Sequence, residues 1–194
     1  MHMQESHANG EYLSIRDVSL RFGGVSALTE VSFSVAKGQF FSLIGPNGAG
    51  KSSLFNCLSR LYKPSQGSIR LDGIELLDKR AHEIAGLGVG RTFQNCLLFR
   101  GMTVLENVET GAYSSSVSGF MQAILRTPML RLSEREIADR AAELIDFLDL
   151  GPLAYRLAGE LDFPAQKRVE LARALMSQPA LLLLDEPAGG LNTT

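Results

Sequence analysis

The stretch QFFSLIGPNGAGKSS, residues 39–53, decides how this chain of 194 residues is to be read. Its first half, Gln39 to Gly45, is a brief and nearly continuous apolar run ending in glycine, which predicts a strand buried on both faces of a parallel sheet. Its second half sets Gly45, Gly50, Lys51 and Ser52 in the spacing G-x-x-x-x-G-K-[ST], and the residues that follow, LFNCLSRLY, have apolar positions at helical spacing. Strand, glycine loop and helix in that order are the context in which this motif holds a phosphate. Glycines let the backbone curl with its N–H groups turned inward, and the helix start adds partial positive charge. In such a loop Lys51 reaches β- and γ-phosphates and Ser52 ligates Mg²⁺.

Working outward, Tyr12 to Ala36 alternates apolar and polar residues through Leu13, Ile15, Val18 and Leu20, then Val31, Phe33 and Val35. A Gly23-Gly24 turn lies between the two sets, so short antiparallel strands are expected. After the loop and its helix, KPSQG reads as a turn and SIRLDGIEL as a strand pair around Asp72-Gly73. From about Asn95 to Gly159 the texture is helical, in MTVLENVETGAY, GFMQAILR and SEREIADRAAELIDFLDL. Ser133 with Glu136 three residues later predicts a capping box at the start of the last of these, which stops at Gly151-Pro152. PAQKRVELARALMSQP then predicts a helix from Pro164, and ALLLLDEP a second buried strand. That strand delivers Asp185 and Glu186 at its C-terminal end, where open α/β sheets keep their ligands. Asp185 is placed to hold the hydration shell of Mg²⁺, and Glu186 to polarise an attacking water.

Composition narrows the field. With 45% hydrophobic and 21% charged residues, the chain can bury one core but is too short for two full-sized ones. Nineteen basic against 21 acidic residues leave a net charge of -2, which disfavours nucleic acid and acidic lipid surfaces as partners. No apolar run approaches the roughly 20 residues of a membrane-spanning helix. Two cysteines, Cys57 and Cys96, make no disulfide framework, and the polar start lacks a secretory core, so a cytoplasmic compartment is expected. Residues 1–11 read as a flexible tail, in which His2 and His7 are loose residues rather than metal ligands.

With those motifs in hand, the chain resembles the ATP-binding subunit of an ATP-binding cassette transporter over nearly its whole length. RFGGVSAL near the start, RTFQNCLLF at Arg91 to Phe99, FMQAILRTP, and DEPAGGLN at the end are most similar to the branched-chain amino acid uptake ATPases. The resemblance implies an α/β fold: a P-loop NTPase (RecA-like) core, residues 12–94 and 166–194, with an antiparallel β subdomain and an inserted α-helical subdomain, residues 95–165. It implies ATP and Mg²⁺ as cofactors. The phosphate cradle would be Gly45, Pro46, Asn47, Gly48, Ala49, Gly50, Lys51, Ser52 and Ser53. Phe22 falls where the family stacks an aromatic on adenine, and Gln94 matches the glutamine whose amide contacts Mg²⁺ or water. Lys51, Gln94 and Glu186 would be catalytic, and Ser52, Gln94 and Asp185 would face the metal. The segment Val117 to Leu130 would face the membrane subunits or pack internally. Implied partners are a second cassette ATPase and two membrane permeases, at the cytoplasmic face of the inner membrane. A nucleotide-binding module without hydrolysis, or a cassette ATPase of repair or translation, are the rival readings.

Two departures from the family pattern bear on function. Where the family has a Leu-Ser-Gly-Gly-Gln signature that meets the γ-phosphate bound by the partner, this chain has Leu161-Asp162-Phe163-Pro164-Ala165. A carboxylate replaces the hydroxyl and Pro164 has no N–H to offer, so the partner's ATP is expected to be poorly held. The alternative is that Pro164 simply starts a helix well and Asp162 lies outside the site. The family also continues past Gly190-Leu191-Asn192 into a strand ending in a switch histidine, placed between the strand of QFFSLIG and that of ALLLLDE. The histidines here are His2, His7 and His82, so an incomplete domain with exposed sheet backbone is expected.

Overall fold

The computed structural model describes residues 11–92, 96–115 and 128–185. Residue contacts divide the chain into two compact units between Ile84 and Ala85.

The alternation read in Tyr12 to Ala36 becomes two long antiparallel strands, β1 (Glu11–Phe22) and β2 (Val25–Ala36), joined through the glycine turn with Phe22 opposite Val25. The buried positions of β1 switch from odd to even between Ile15 and Val18, so the strand must absorb one extra residue. It does so at Asp17, whose φ of 51° is left-handed and whose carboxylate and N–H both bond the hydroxyl of Ser32. β3 (Gln66–Leu71) pairs with the other edge of β1 and turns at Asp72-Gly73 into β4 (Ile74–Glu75), as the sequence predicts, for a sheet order β2-β1-β3-β4. Gly67 crosses the bulge: a Cβ there would stand 2.6 Å from the Arg16 carbonyl oxygen. Helix α1 (Lys51–Leu58) buries Leu54, Cys57 and Leu58, and the core of this unit also contains Leu13, Ile15, Val18, Ile69, Leu71 and Leu76. Burial pushes the Cys57 thiol up to about 11, so it serves as packing.

One sequence expectation fails here. Gln39–Gly45 is not a strand buried on both faces. Phe40 is 102% and Ile44 95% exposed, and no described strand pairs with the segment. A parallel-sheet strand exists by bonding neighbours at both edges. Without a ladder to join, the segment finds no strand partner among the described residues, and Phe40 and Ile44 stay in solvent. Phe41 stacks on Phe33, with ring centres 4.8 Å apart.

The chain continues through α2 (Ala81–Gly86) to β5 (Val89–Arg91), which pairs in parallel with β6 (Leu181–Leu183), the strand expected in ALLLLDEP. Between them, among the described residues, lie three α-helices: α3 (Val104–Thr110), α4 (Pro128–Phe147) and α5 (Phe163–Met176). Val104, Val108, Ala141, Ile145, Leu150, Val169 and Ala172 form their common core. Gly111, at the end of α3, is obligatory because a Cβ there would collide with the Arg173 carbonyl and lie 2.8 Å from the Met176 Cβ. Asn107 is fully buried and clasps the preceding loop, accepting from the Phe99 N–H and donating to the Phe99 carbonyl at 3.0 Å.

The capping box expected at Ser133 and Glu136 is overturned. Helix α4 already begins at Pro128, so Ser133 lies inside it. An i, i+3 Ser/Glu pair also fits a helix interior, and Pro128 with Met, Leu and Arg after it starts a helix well. The capping box that does form is Thr103 with Glu106, at the start of α3. The expected tail up to Gly10, most of the Val117 to Leu130 segment, Gln94, Glu186 and Gly190-Leu191-Asn192 lie outside the described residues.

Candidate nucleotide-binding site

The glycine loop has the backbone that its spacing predicts. Gly48 and Gly50 hold φ of 85° and 86°, in the left-handed region that glycine enters without strain. Gly50 has a second reason to be glycine: a Cβ would come within 2.5 Å of the Ala27 carbonyl oxygen. Ala49 closes a turn by donating to the Pro46 carbonyl at 3.2 Å, and the first bond of α1 runs from the Leu54 N–H to the Gly50 carbonyl at 2.9 Å. The N–H groups of the first helical turn therefore precede the intrahelical ladder. Gly50 is the N-cap and has no side chain to cap them. Pro46, Asn47, Gly48, Ala49 and Ser52 are exposed, so the loop opens to solvent. An uncapped helix start behind left-handed glycines suits a phosphate.

Lys51 is folded over this loop, donating from Nζ to the Gly45 carbonyl at 2.6 Å and to the Pro46 carbonyl at 3.0 Å. The ammonium thus sits on the concave side with two neutral acceptors, which an anionic phosphate oxygen outcompetes. Phe22, at the end of β1, is 47% exposed and meets Tyr62 edge to face with ring centres 5.1 Å apart. One aromatic edge is engaged and much of the ring stays available for stacking.

In the second unit, the parallel register sets Arg91 opposite Leu183, so the C-terminal ends of β5 and β6 lie side by side. The Thr92 N–H extends the ladder to the Leu183 carbonyl at 3.0 Å, and the Asp185 N–H donates to the Thr92 hydroxyl at 3.3 Å. Asp185 is 8% exposed, and its carboxylate faces the Arg91 guanidinium at 3.6 Å. Burial pushes Arg91 below its ordinary value and the charge of Asp185 pulls it back up. Arg91 was not singled out as a functional residue from the sequence. Its signal there is a cation closing a three-residue strand, too short to stand out by periodicity.

The altered signature also has a definite geometry. Asp162 is the N-cap of α5, and its carboxylate accepts from the Ala165 N–H at 2.9 Å. Pro164 occupies the first turn and has no N–H. Behind that turn Glu170 is almost fully buried and pairs with Lys167 at 3.5 Å.

A model of the ABC transporter family matches residues 28–189. The chain is 44% identical over 180 residues to the high-affinity branched-chain amino acid transport ATP-binding protein BraF of Pseudomonas aeruginosa, covering 93% of this chain and 71% of that protein. It is 42% identical, with the same coverage, to the corresponding protein LivG of Escherichia coli. Among solved structures, a nucleotide-free ATP-binding cassette from an ABC transporter superposes with a TM-score of 0.76 at 35% identity, over 93% of this chain and 70% of that one. A dimeric bacterial ABC transporter cassette superposes with a TM-score of 0.78 at 30% identity, over 93% of this chain and 76% of that one. The glycine loop, the buried acid after β6 and these likenesses together show that the chain belongs to the ABC transporter family, as an ATP-binding cassette with the P-loop NTPase fold.

Proposed function

We propose that this cassette binds and hydrolyses ATP to power an importer of branched-chain amino acids, the cargo named for its relatives BraF and LivG. The observation that carries the reading is the open, uncapped start of α1 behind Gly48 and Gly50, with Lys51 lying over the loop. The N–H groups of that turn cradle the phosphates, Lys51 moves from its loop carbonyls onto them, and Phe22 takes the adenine. Ser52 and Asp185 are hard oxygen donors of the kind Mg²⁺ takes, and the bound ion would neutralise charge on the β- and γ-phosphates. Gln94 and Glu186 complete the reading as the residues that orient and polarise the attacking water. A second cassette and two permeases at the cytoplasmic face of the membrane are the partners this role requires. The described residues contain no helix long and apolar enough to cross a membrane.

One observation favours a second reading, in which the chain binds nucleotide but hydrolyses it only with a different partner. Asp162 and Pro164 leave the start of α5 with a carboxylate and few free N–H groups, a poor surface for another subunit's γ-phosphate. The test is Mg-ATP binding and phosphate release by the purified chain, alone and with a partner cassette, with Lys51→Ala as control. Turnover by the chain alone that Lys51→Ala abolishes supports the first reading. Binding with turnover only beside the partner supports the second, and a folded chain that binds no ATP refutes both.

A further inference from the structure

The ring that meets Phe22 is Tyr62, with centres 5.1 Å apart and planes at 76°. Tyr62 closes the stretch LFNCLSRLY, just past the end of α1 at Leu58. Its backbone is fixed from both sides. Arg60 turns the chain out of the helix with a left-handed φ of 58° and anchors it by donating from Nε to the Lys79 carbonyl at 2.9 Å. The Leu61 and Tyr62 N–H groups both donate to the Asn56 carbonyl, at 2.9 and 3.1 Å. On the other side the Ser65 N–H donates to the Ser19 carbonyl at 2.7 Å, and Gln66 pairs with Ser19. That antiparallel register carries the residues before β3 alongside the end of β1, where Phe22 stands. Tyr62 is thus held along its main chain while its ring stays 38% exposed.

A half-exposed phenylalanine at a strand end keeps freedom about its side-chain bonds, and stacking a base on it costs that freedom. A perpendicular aromatic neighbour at this distance holds the ring in one orientation beforehand. We propose that Tyr62 is a positioning residue for the nucleotide base: it props Phe22 in the orientation that stacks a purine, so that the site distinguishes a nucleotide from a bare polyphosphate. This rests on the reading of Phe22 as the aromatic that takes adenine. The contact is made by the ring, so a phenyl group serves as well as a phenol. Helix α1 then serves two parts of one ligand, with the phosphate loop at its start and the prop for the base just past its end.

The test is calorimetric titration of the full chain with two probes, a non-hydrolysable ATP analogue and inorganic tripolyphosphate, which has no base. Tyr62→Ala is expected to weaken the ATP analogue about three- to tenfold and to leave tripolyphosphate unchanged. Tyr62→Phe should bind both as the natural chain does. Phe22→Ala should weaken the ATP analogue roughly ten- to a hundredfold. Adding Tyr62→Ala to Phe22→Ala should then cost less than about twofold more, because a prop has no effect once the ring it holds is gone. A merely structural role would weaken both probes alike, and that result overturns the proposal. So does an unchanged affinity of Tyr62→Ala for the ATP analogue, or an undiminished loss in the Phe22→Ala background. Should the natural chain bind tripolyphosphate too weakly to titrate, the double-variant comparison decides. Should Tyr62→Ala fail to fold, Tyr62→Leu, which keeps apolar bulk without a flat ring, is judged by the same criteria. Phe22→Ala alone separates the two levels of the argument. If it leaves the ATP analogue unaffected, the base reading of Phe22 falls and the prop with it. If it weakens the analogue while Tyr62→Ala does not, only the prop falls.

Discussion

The starts of α1 and α5 are built in opposite ways. Helix α1 begins behind a left-handed glycine, with no side-chain cap and a lysine folded over the loop. Helix α5 begins behind an aspartate that caps its own Ala165 N–H, with a proline in the first turn. Both are sound ways to begin a helix, and the capped one is the more self-sufficient. For binding an anion the ranking reverses, because a terminus that has satisfied its own N–H groups with a carboxylate has neither donors nor positive potential left to offer. The comparison teaches that a helix start is a ligand site only to the extent that the chain leaves it unfinished.

Four measurements would break or sharpen that contrast. The largest effect is expected from Lys51→Ala, which should lower ATP turnover by about two to three orders of magnitude in a phosphate-release assay. Retained turnover would mean that the open start of α1 is not the working one. Gly50→Ala should cost about 2–5 kcal/mol in urea unfolding, because alanine must adopt a left-handed φ and overlap the Ala27 carbonyl. A neutral effect would show that the loop's shape is not set by that glycine. Re-opening α5 with Asp162→Ser and Pro164→Gly should raise partner-dependent turnover roughly tenfold, since a hydroxyl and an N–H return to the helix start. No change would place the start of α5 outside the shared site. The smallest effect concerns a third capped terminus. Glu75 caps the short helical turn Leu76–Asp78 and also accepts from Ser68 and the Ile69 N–H. Burial raises its carboxyl, but those hydrogen bonds and Arg70 outweigh burial and hold it below the ordinary carboxylate value. Its contribution to stability is therefore complete above the unfolded value near 4.5 and is lost as the pH falls through the lower folded value. Glu75→Gln should flatten the acid side of the stability curve, moving the acid-unfolding midpoint by about a few tenths of a pH unit.

Much of this was legible in the residues. The glycine spacing of the phosphate loop, the hairpin at Asp72-Gly73, the helix at Pro164 and the acid after Leu184 all rest on local rules, where turn, cap and period are decided within a few neighbours. The failures are equally local in appearance and non-local in cause. Gln39–Ile44 has the composition of a buried strand, yet a strand's stability lies in its neighbours, and here none of the described strands pairs with it. Ser133 and Glu136 have capping spacing, but the helix already runs from Pro128 through residues of good helix propensity.

By itself, the sequence determined that a phosphate loop opens a helix and that a carboxylate closes a strand, because glycine's freedom and the period of apolar residues are properties of the local chain. It determined equally that Pro164 denies α5 an N–H. Only the tertiary structure decided that Gln39–Gly45 joins none of the described strands, and that Arg91 and Asp185 share one buried end of a parallel pair. Those outcomes depend on which groups are brought within about 3–4 Å of each other and withdrawn from water, and distance and desolvation exist only once the chain has folded.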